Sequence, residues 1–182
     1  MPDKNRYFIG IIPSSPIFEQ ALEFKKYFKD HFQSKAALNS PPHITLHMPF
    51  EWRSSKEDAL IDSLQKLSDT LSPVSVLLKN FGSFQPRTIF IQAEASAELV
   101  ELQRLIRQFC KKELNLFNAD YKDLPFHPHL TIAFRDLKKP NFVKAWGEYE
   151  NKLFDAEFVA DRICLLKHDG EMWVSFREFL LK

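Results

Sequence analysis

A short pattern of proline, histidine, aliphatic, threonine, aliphatic occurs twice in this chain of 182 residues. The first copy is residues 42–46 (PHITL), and the second copy, 86 positions later, is residues 128–132 (PHLTI). In a strand, residues two apart point to the same face. Each copy therefore predicts a strand with an apolar face for the core and a His/Thr face directed elsewhere.

The elements around the two motifs are predicted to repeat in the same order. Apolar runs, turn residues and helical periodicity indicate strand, helix, His-Thr strand, helix, strand in each half of the chain. Ile9 and Ile91 precede the motif histidines by 34 and 38 residues, and Val76 and Arg162 each follow them by 33 residues. The agreement in spacing indicates an internal structural repeat.

This repeat predicts an α+β fold of two pseudo-symmetric lobes. We expect one domain, 1–182, with lobe 1 at about 1–85, lobe 2 at about 86–182, largely antiparallel sheets and a central cleft. Exchange of strands between the lobes is left open. The chain ends in a predicted hairpin, 157–167 and 172–181, with HDGE as its turn. If a pseudo-twofold axis relates the lobes, the two His/Thr faces meet across the cleft.

Two helix starts carry capping signals. Ser54 and Glu57 stand three residues apart before an apolar helical stripe, which predicts a capping box. Ser96 precedes a second stripe and is the expected N-cap there. These positions place helices on both sides of the strands that surround the motifs.

Composition excludes several classes of function. A formal net charge of +1 argues against a long nucleic-acid track, so any RNA contact should be a local pocket. No segment approaches the roughly 18 consecutive apolar residues of a membrane span. The segment RYFIGII is too short for a signal-peptide core, and two cysteines imply neither a disulfide framework nor a zinc knuckle. We expect a cytoplasmic monomer with no cofactor, no membrane contact and no obligate protein partner.

Two histidines and two hydroxyls around one point suit phosphoester displacement. One imidazole, from His43 or His129, must be neutral to accept a proton, and the other must be protonated to donate one. Histidine serves both roles near neutral pH because its reference pKa is about 6.5. Thr45 and Thr131 would donate hydrogen bonds to the non-bridging phosphate oxygens. The near-symmetry of the motifs leaves the order of acid and base open.

The paired motifs, their separation and the opening YFIGIIP resemble the two-histidine (2H) phosphoesterase superfamily. Within that superfamily, the chain is most similar to the 2′-5′ RNA ligase-like branch, which contains the RNA 2′,3′-cyclic phosphodiesterases. The segment FGSFQPRTIFIQAE also resembles the family's stretch between the motifs, and the similarity extends over essentially the whole chain. It implies a bilobal α+β fold with a sheet in each lobe and a cleft between them.

The resemblance also implies an activity and residue roles. The expected reaction opens a 2′,3′-cyclic phosphate at an RNA or nucleotide end and leaves a 2′-phosphate, without a metal. His43 would be the proton donor to the departing 3′ oxygen and His129 the proton acceptor from water. Thr45 and Thr131 would hold the phosphate. The alternatives are another small cyclic phosphodiester as substrate, a non-catalytic nucleotide-binding module, or reversible 2′-5′ RNA ligation.

The chain departs from its relatives beside both motifs. RNA-processing relatives often place arginine three residues after the motif threonine, where this chain has Met48 and Phe134. By the alternation of a strand, His47 and His127 are expected to share the faces of the motif histidines. Further candidate substrate-binding residues lie on the motif strands or in the loops that flank them: His47, His127, Arg87, Arg135, Phe84, Phe126. Phe84 and Phe126, together with Tyr121, are candidates for stacking on a base.

Each of these candidates has a plainer interpretation. His47 and His127 fit rim histidines without an essential role, and the three aromatic residues fit core packing. Arg87 stands at a strand start, where arginines are usually solvated. His127 and His129 could form a metal pair, but no nearby Asp, Glu or Cys completes a ligand set.

Overall fold

The computed structural model describes residues 3–118 and 125–182, so Tyr121 lies outside the described residues. Within these ranges the chain forms four α-helices and eight strands, with 3₁₀ turns at Ala36–Asn39 and Ser54–Lys56. The bounds of the helices and strands, in chain order, are as follows: β1 (Lys4–Ile11), α1 (Ile17–Phe32), β2 (Ile44–Arg53), α2 (Glu57–Ser68), β3 (Val74–Phe84), β4 (Thr88–Ala93), α3 (Ala97–Glu113), β5 (His129–Ala133), α4 (Lys139–Tyr149), β6 (Asp155–Ala160), β7 (Arg162–His168), β8 (Trp173–Leu180). None of the helices in the described ranges is long and apolar enough to cross a membrane.

The eight strands form one sheet in the order β6-β3-β4-β5-β2-β1-β7-β8, and every pairing is antiparallel. The predicted α+β class and the repeated order of strand, helix, His-Thr strand, helix, strand are confirmed. The two halves of the sheet are continuous rather than separate sheets, because β5 pairs with β2 at Leu130 and Ile44. The two motif strands are therefore the innermost strands of the fold.

The outer strands do not follow the order of the chain. β3 pairs with β4 and β6, so the last strand of the first repeat lies in the same half of the sheet as the second motif strand. β7 and β8 occupy the corresponding place beside β1. The short connection between β3 and β4 favours this antiparallel neighbour pairing. Strands are thus exchanged between the halves, and the inner four, β4-β5-β2-β1, keep the pseudo-symmetric order.

A single residue, Asp161, separates β6 from β7, although these strands stand far apart in the sheet order. The sheet must therefore curl so that its β6 edge returns toward β7. The predicted strand 157–167 is wrong in this respect, because the chain changes partners at Asp161. The hairpin itself is confirmed, with β7 and β8 paired from Arg162–Leu180 to His168–Trp173.

Helices α1 and α3 cover the two central strands of the sheet. α1 packs against β5 and α3 packs against β2, so the helix of each repeat covers the motif strand of the other repeat. The cap at Ser96 is confirmed, since its side chain accepts from the Leu99 amide. The capping box is wrong: Ser54 Oγ donates to the Asp3 carbonyl, and the Glu57 carboxylate accepts from Lys167 Nζ. Tertiary partners therefore replace the local cap.

Gly10 lets β1 approach β2 beside the first motif. It pairs with Thr45, and a Cβ built on Gly10 would lie 2.8 Å from the Ile44 carbonyl oxygen. We expect Gly10→Ala to lower the free energy of unfolding by about 1–3 kcal/mol because the strand backbone must shift. Denaturant unfolding measures this change.

Gly147 is the matched control, because it lies inside α4 and a Cβ there meets nothing within 4 Å. We expect Gly147→Ala to raise the free energy of unfolding by up to about 1 kcal/mol through helix propensity. Equal effects of the two substitutions would contradict the close β1–β2 approach.

Candidate active site

The β2–β5 pairing assembles the four motif residues. Ile44 lies opposite Leu130, and both side chains are fully buried. One residue further along in each direction, the antiparallel register sets His43 opposite Thr131 and Thr45 opposite His129. Because neighbours in a strand alternate faces, all four side chains lie on the face opposite the core. Directly opposed residues have Cβ atoms about 5 Å apart, which is close enough to surround one phosphate.

Both motif histidines are oriented by the same kind of backbone contact. His43 Nδ1 lies 2.8 Å from the Pro41 carbonyl oxygen, and His129 Nδ1 lies 2.7 Å from the His127 carbonyl oxygen. A carbonyl can only accept, so each Nδ1 carries the proton and donates it two residues back. Each ring therefore leaves Nε2 as the nitrogen available for proton transfer.

The two histidines are held neutral by their surroundings. Burial against Phe8, whose ring centroid is 4.7 Å away, lowers the pKa of His43 to about 4, and the nearby charges of Lys25 and His129 act in the same direction. Burial also lowers the pKa of His129, and the adjacent His127 adds to that effect. The site without substrate thus favours two neutral imidazoles at pH 7.

His47 does not share the face of His43 and Thr45, contrary to the prediction. Register irregularities between β1 and β2 interrupt the alternation at this point, where Gly10 pairs with Thr45 and Ile9 with His47. His47 is 1% exposed, donates from Nδ1 to the Met48 carbonyl and leaves Nε2 without a partner. Its ring is therefore placed in the core rather than against a bound phosphate.

A cavity of about 220 Å³ opens on the His43 side of the site. Of the predicted site residues it is lined by His43, Thr45 and Arg135. Its other lining residues come from β1, the segment before β2, the middle of β2, the residue after β5 and the β7–β8 hairpin: Arg6, Phe8, Ala36, Asn39, Ser40, Pro49, Phe134, His168, Trp173. The hairpin thus brings residues from the end of the chain to the first motif.

Sequence reasoning missed Arg6, His168 and Trp173. The Arg6 guanidinium lies 5.2 Å from the centroid of the Trp173 ring, and the His168 ring meets the same indole edge-on. Arg6 and Phe8 stand two residues apart on β1, and this alternation is the one sequence signal that pointed to a shared face. His168 and Trp173, in the β7–β8 hairpin, showed no such pattern, because their approach to the first motif depends on the order of the strands in the sheet.

The other predicted residues divide between the His129 side and the periphery. The exposed Phe84 ring lies 5.1 Å from the His129 ring and 5.2 Å from the His127 ring. Phe126 is partly buried and packs against the main core. Arg87 is exposed in the turn between β3 and β4, outside the cavity lining. Of these four residues, Phe84 and His127 therefore adjoin the second motif.

Arg135 is the charged residue nearest to the arginine position of the relatives. It follows β5 with φ 58°, in the left-handed region, and its guanidinium lies 5.0 Å from the Phe134 ring centroid. This backbone turn brings both residues to the cavity wall. Within residues 3–118 and 125–182, no group of three or more His, Cys, Asp or Glu side chains is placed to hold a metal ion.

The chain is similar in sequence to a known protein family and to individual proteins. The sequence profile of the 2′-5′ RNA ligase superfamily matches residues 13–171. A Bacillus licheniformis protein named "Putative phosphoesterase" is 28% identical over 179 residues, which cover 97% of this chain and 98% of that protein. A Geobacillus protein with the same description is 27% identical and covers 97% and 96%.

Solved structures show the same fold. The protein TT0787 of Thermus thermophilus matches with a TM-score of 0.71 at 19% identity, covering 97% of both chains. Escherichia coli LigT, in a crystal structure complexed with 3′-AMP, matches with a TM-score of 0.70 at 18% identity, covering 98% of this chain and 99% of LigT. The shared architecture thus extends over nearly the full length.

The neutral state of His43 makes stability depend on pH. In the unfolded chain this imidazole gains a proton near pH 6.5, whereas the folded protein holds it neutral down to about pH 4. The free energy of unfolding is therefore unaffected by His43 above pH 6.5 and decreases as the pH falls toward 4, because only the unfolded chain gains the proton over this range. We expect a loss of about 3 kcal/mol over this range, measured by urea unfolding at several pH values.

His43→Gln is the control, because glutamine does not titrate. The wild type should lose more stability than this variant between pH 6.5 and pH 4, with the two curves parallel at higher pH. Curves that stay parallel throughout would contradict the lowered pKa of His43.

Proposed function

The chain belongs to the 2′-5′ RNA ligase superfamily, and on that premise we propose that it opens a 2′,3′-cyclic phosphate at an RNA or nucleotide end to a 2′-phosphomonoester. The observation that carries this proposal is the matched orientation of the two histidines. His43 and His129 come from opposed strands. Each donates a hydrogen bond from Nδ1 to the carbonyl two residues earlier, which leaves Nε2 available. Such a pair suits proton transfer on opposite sides of one phosphorus.

The reaction follows from general acid–base chemistry. His129 Nε2 takes a proton from water, and the water oxygen forms a bond to phosphorus. The bond from phosphorus to the 3′ oxygen breaks, and His43 Nε2 gives its proton to that oxygen. The product keeps the phosphate on the 2′ oxygen, and a proton exchange with solvent restores both rings. The assignment of His43 as acid and His129 as base rests on the family resemblance.

The other two motif residues would stabilise the charge that builds up on phosphorus. Thr45 and Thr131 stand diagonally across the β2–β5 pair, and their hydroxyls would donate to the two non-bridging oxygens. Arg135 and Arg6 on the cavity wall add positive charge where the relatives often have arginine beside the motifs. These two arginines supply part of the positive charge that is missing because Met48 and Phe134 stand at the arginine positions of the relatives.

The cavity beside His43 suits a nucleoside. Phe8, Trp173 and His168 line it with aromatic surface, on which a base can stack. LigT has been crystallised with 3′-AMP and with ATP, and we propose that this chain binds ligands of the same class. Metal independence, a cytoplasmic location and a monomeric state remain predictions from the sequence.

Substitution of either histidine tests the mechanism. We expect His43→Ala and His129→Ala each to lower kcat on a 2′,3′-cyclic nucleotide by about 10²–10⁴-fold, the usual contribution of a general acid or base. His31→Ala is the control, since His31 is exposed and stacks on Tyr27 on α1. Assays should include EDTA, and the product isomer should be identified as the 2′-phosphate.

The same assay separates the alternatives. Nucleotide binding without turnover of any cyclic substrate would favour a non-catalytic binding module. Turnover of a different small cyclic phosphodiester alone would change the substrate and keep the site. Joining of RNA ends that carry a cyclic phosphate and a 5′-hydroxyl would show the reverse reaction. A folded His43→Ala or His129→Ala protein with wild-type activity would overturn the two-histidine mechanism.

The pH profile should reveal which state of the site is active. The acid His43 must be protonated, although its pKa is lowered to about 4 without substrate, and the base His129 must be neutral. We therefore expect kcat/KM to reach its maximum below about pH 6.5 and to fall as pH rises. The maximum of kcat should lie at higher pH, because a bound phosphate anion raises the pKa of His43. Identical profiles for kcat and kcat/KM would contradict this expectation.

A further inference from the structure

Lys25 is a buried lysine that neither the sequence pattern nor the proposed mechanism uses. It lies in the buried stripe of α1 and is 1% exposed. Its Nζ donates to the carbonyl oxygens of Ala37 and Ser40, each at 2.9 Å. A buried ammonium is costly unless it is hydrogen-bonded, so a lysine kept at this position needs a structural or chemical reason.

The segment that Lys25 binds leads directly into the first motif. Ala37 belongs to the 3₁₀ turn, and Ser40 is followed by Pro41, whose carbonyl accepts from His43 Nδ1. The chain of contacts therefore runs from the ammonium through residues 37–41 to the imidazole. Ser40 also lines the cavity beside His43.

The other end of this segment is held by a carboxylate from the second repeat. Asp136 accepts from Ser34 Oγ at 2.8 Å and from the amides of Lys35 and Ala36 at 2.8 and 3.0 Å. The carboxylate thus binds the amide end of the 3₁₀ turn and Lys25 binds its carbonyl end. Both charges complement the backbone dipoles, which holds the segment between the two halves of the fold.

The charge of Lys25 also reaches His43. It acts with burial and with His129 to lower the pKa of His43. Burial lowers the pKa of Lys25 itself to about 7, so its charge is complete on the acidic side of neutrality, where His43 must gain its proton. The charged and titratable groups around His43 come from α1, β1, β5, the residues after β5 and the end of β7: Lys25, Arg6, His129, Arg135, His168.

We propose that Lys25 is a positioning residue for His43: its Nζ holds the 37–41 segment by the carbonyls of Ala37 and Ser40, and its buried positive charge adds to the burial of His43 in opposing a second charge on the imidazole until an anionic substrate binds. The inference rests on the proposed function for the role of His43 as acid. The phosphate anion offsets the charges of Lys25 and the neighbouring arginines, and His43 then takes up the proton that it delivers to the leaving oxygen. Proton loading is thereby coupled to substrate binding.

The test is a direct titration of the His43 ring by NMR in the absence of substrate. Lys25→Met removes the charge with little change in length, and Lys25→Gln is a second neutral variant that keeps a donor. We expect the His43 midpoint to rise by about one pH unit in both variants, because a nearby positive charge is lost. Lys25→Arg keeps the charge and should leave the midpoint near the wild-type value.

Lys29→Met is the matched control, since Lys29 is an exposed lysine on the same helix and should leave the midpoint unchanged. On a cyclic nucleotide, Lys25→Met should lower kcat about tenfold through loss of His43 position and shift the limb of the kcat/KM profile that is set by His43 to higher pH. KM should change less than kcat, because the lysine does not contact substrate.

Three results would overturn the inference. The first is an unchanged His43 midpoint in the two neutral variants. The second is a His43 midpoint near the ordinary histidine value of about 6.5 in Lys25→Arg. The third is a loss of kcat in Lys25→Met while the His43 midpoint and the pH profile of kcat/KM stay unchanged, which would show a purely structural role. The titration needs no turnover. It therefore tests Lys25 even if the protein hydrolyses no cyclic nucleotide, and failure of the proposed function would be visible separately as absence of activity in the wild type.

Discussion

Strands β2 and β5 pair antiparallel at the centre of the sheet, with Ile44 opposite Leu130, and the site depends on this register. The pairing joins the two halves of the sheet and turns the four motif side chains to one face. A slip of one residue would bury the histidine and threonine of a strand and expose its aliphatic side chains. The burial that stabilises the fold therefore also specifies which side chains meet.

The electrostatics of the site follow from its position next to the core. His43 and His129 stand one residue from fully buried positions, so burial is the largest cause of their lowered pKa values. Two charged side chains bind the segment that precedes the first motif: Lys25 at the carbonyls of Ala37 and Ser40, and Asp136 at the amides at its other end. Arg6 and Arg135 on the cavity wall add two more positive charges beside the first motif.

Much of this arrangement could be predicted from the chain. The alternation in the two motifs predicted both polar faces, and the matched spacing predicted the repeated order of elements. The predictions failed where a residue's neighbours in space come from distant parts of the chain. Ser54 and Glu57 found tertiary partners instead of forming a local cap. His47 turned into the core because the β1–β2 register is irregular there.

The sequence by itself determined the two motif strands, their helices and the types of residue that could transfer protons. These features depend on neighbours two to four positions apart, which local backbone geometry relates directly. Only the tertiary structure decided that β3 and β6 pair across the repeat, that the β7–β8 hairpin brings Trp173 to the first motif, and that Lys25 binds the segment leading into His43. Such placements depend on which register buries the most apolar surface between distant segments, and the local periodicity of the sequence does not indicate that register.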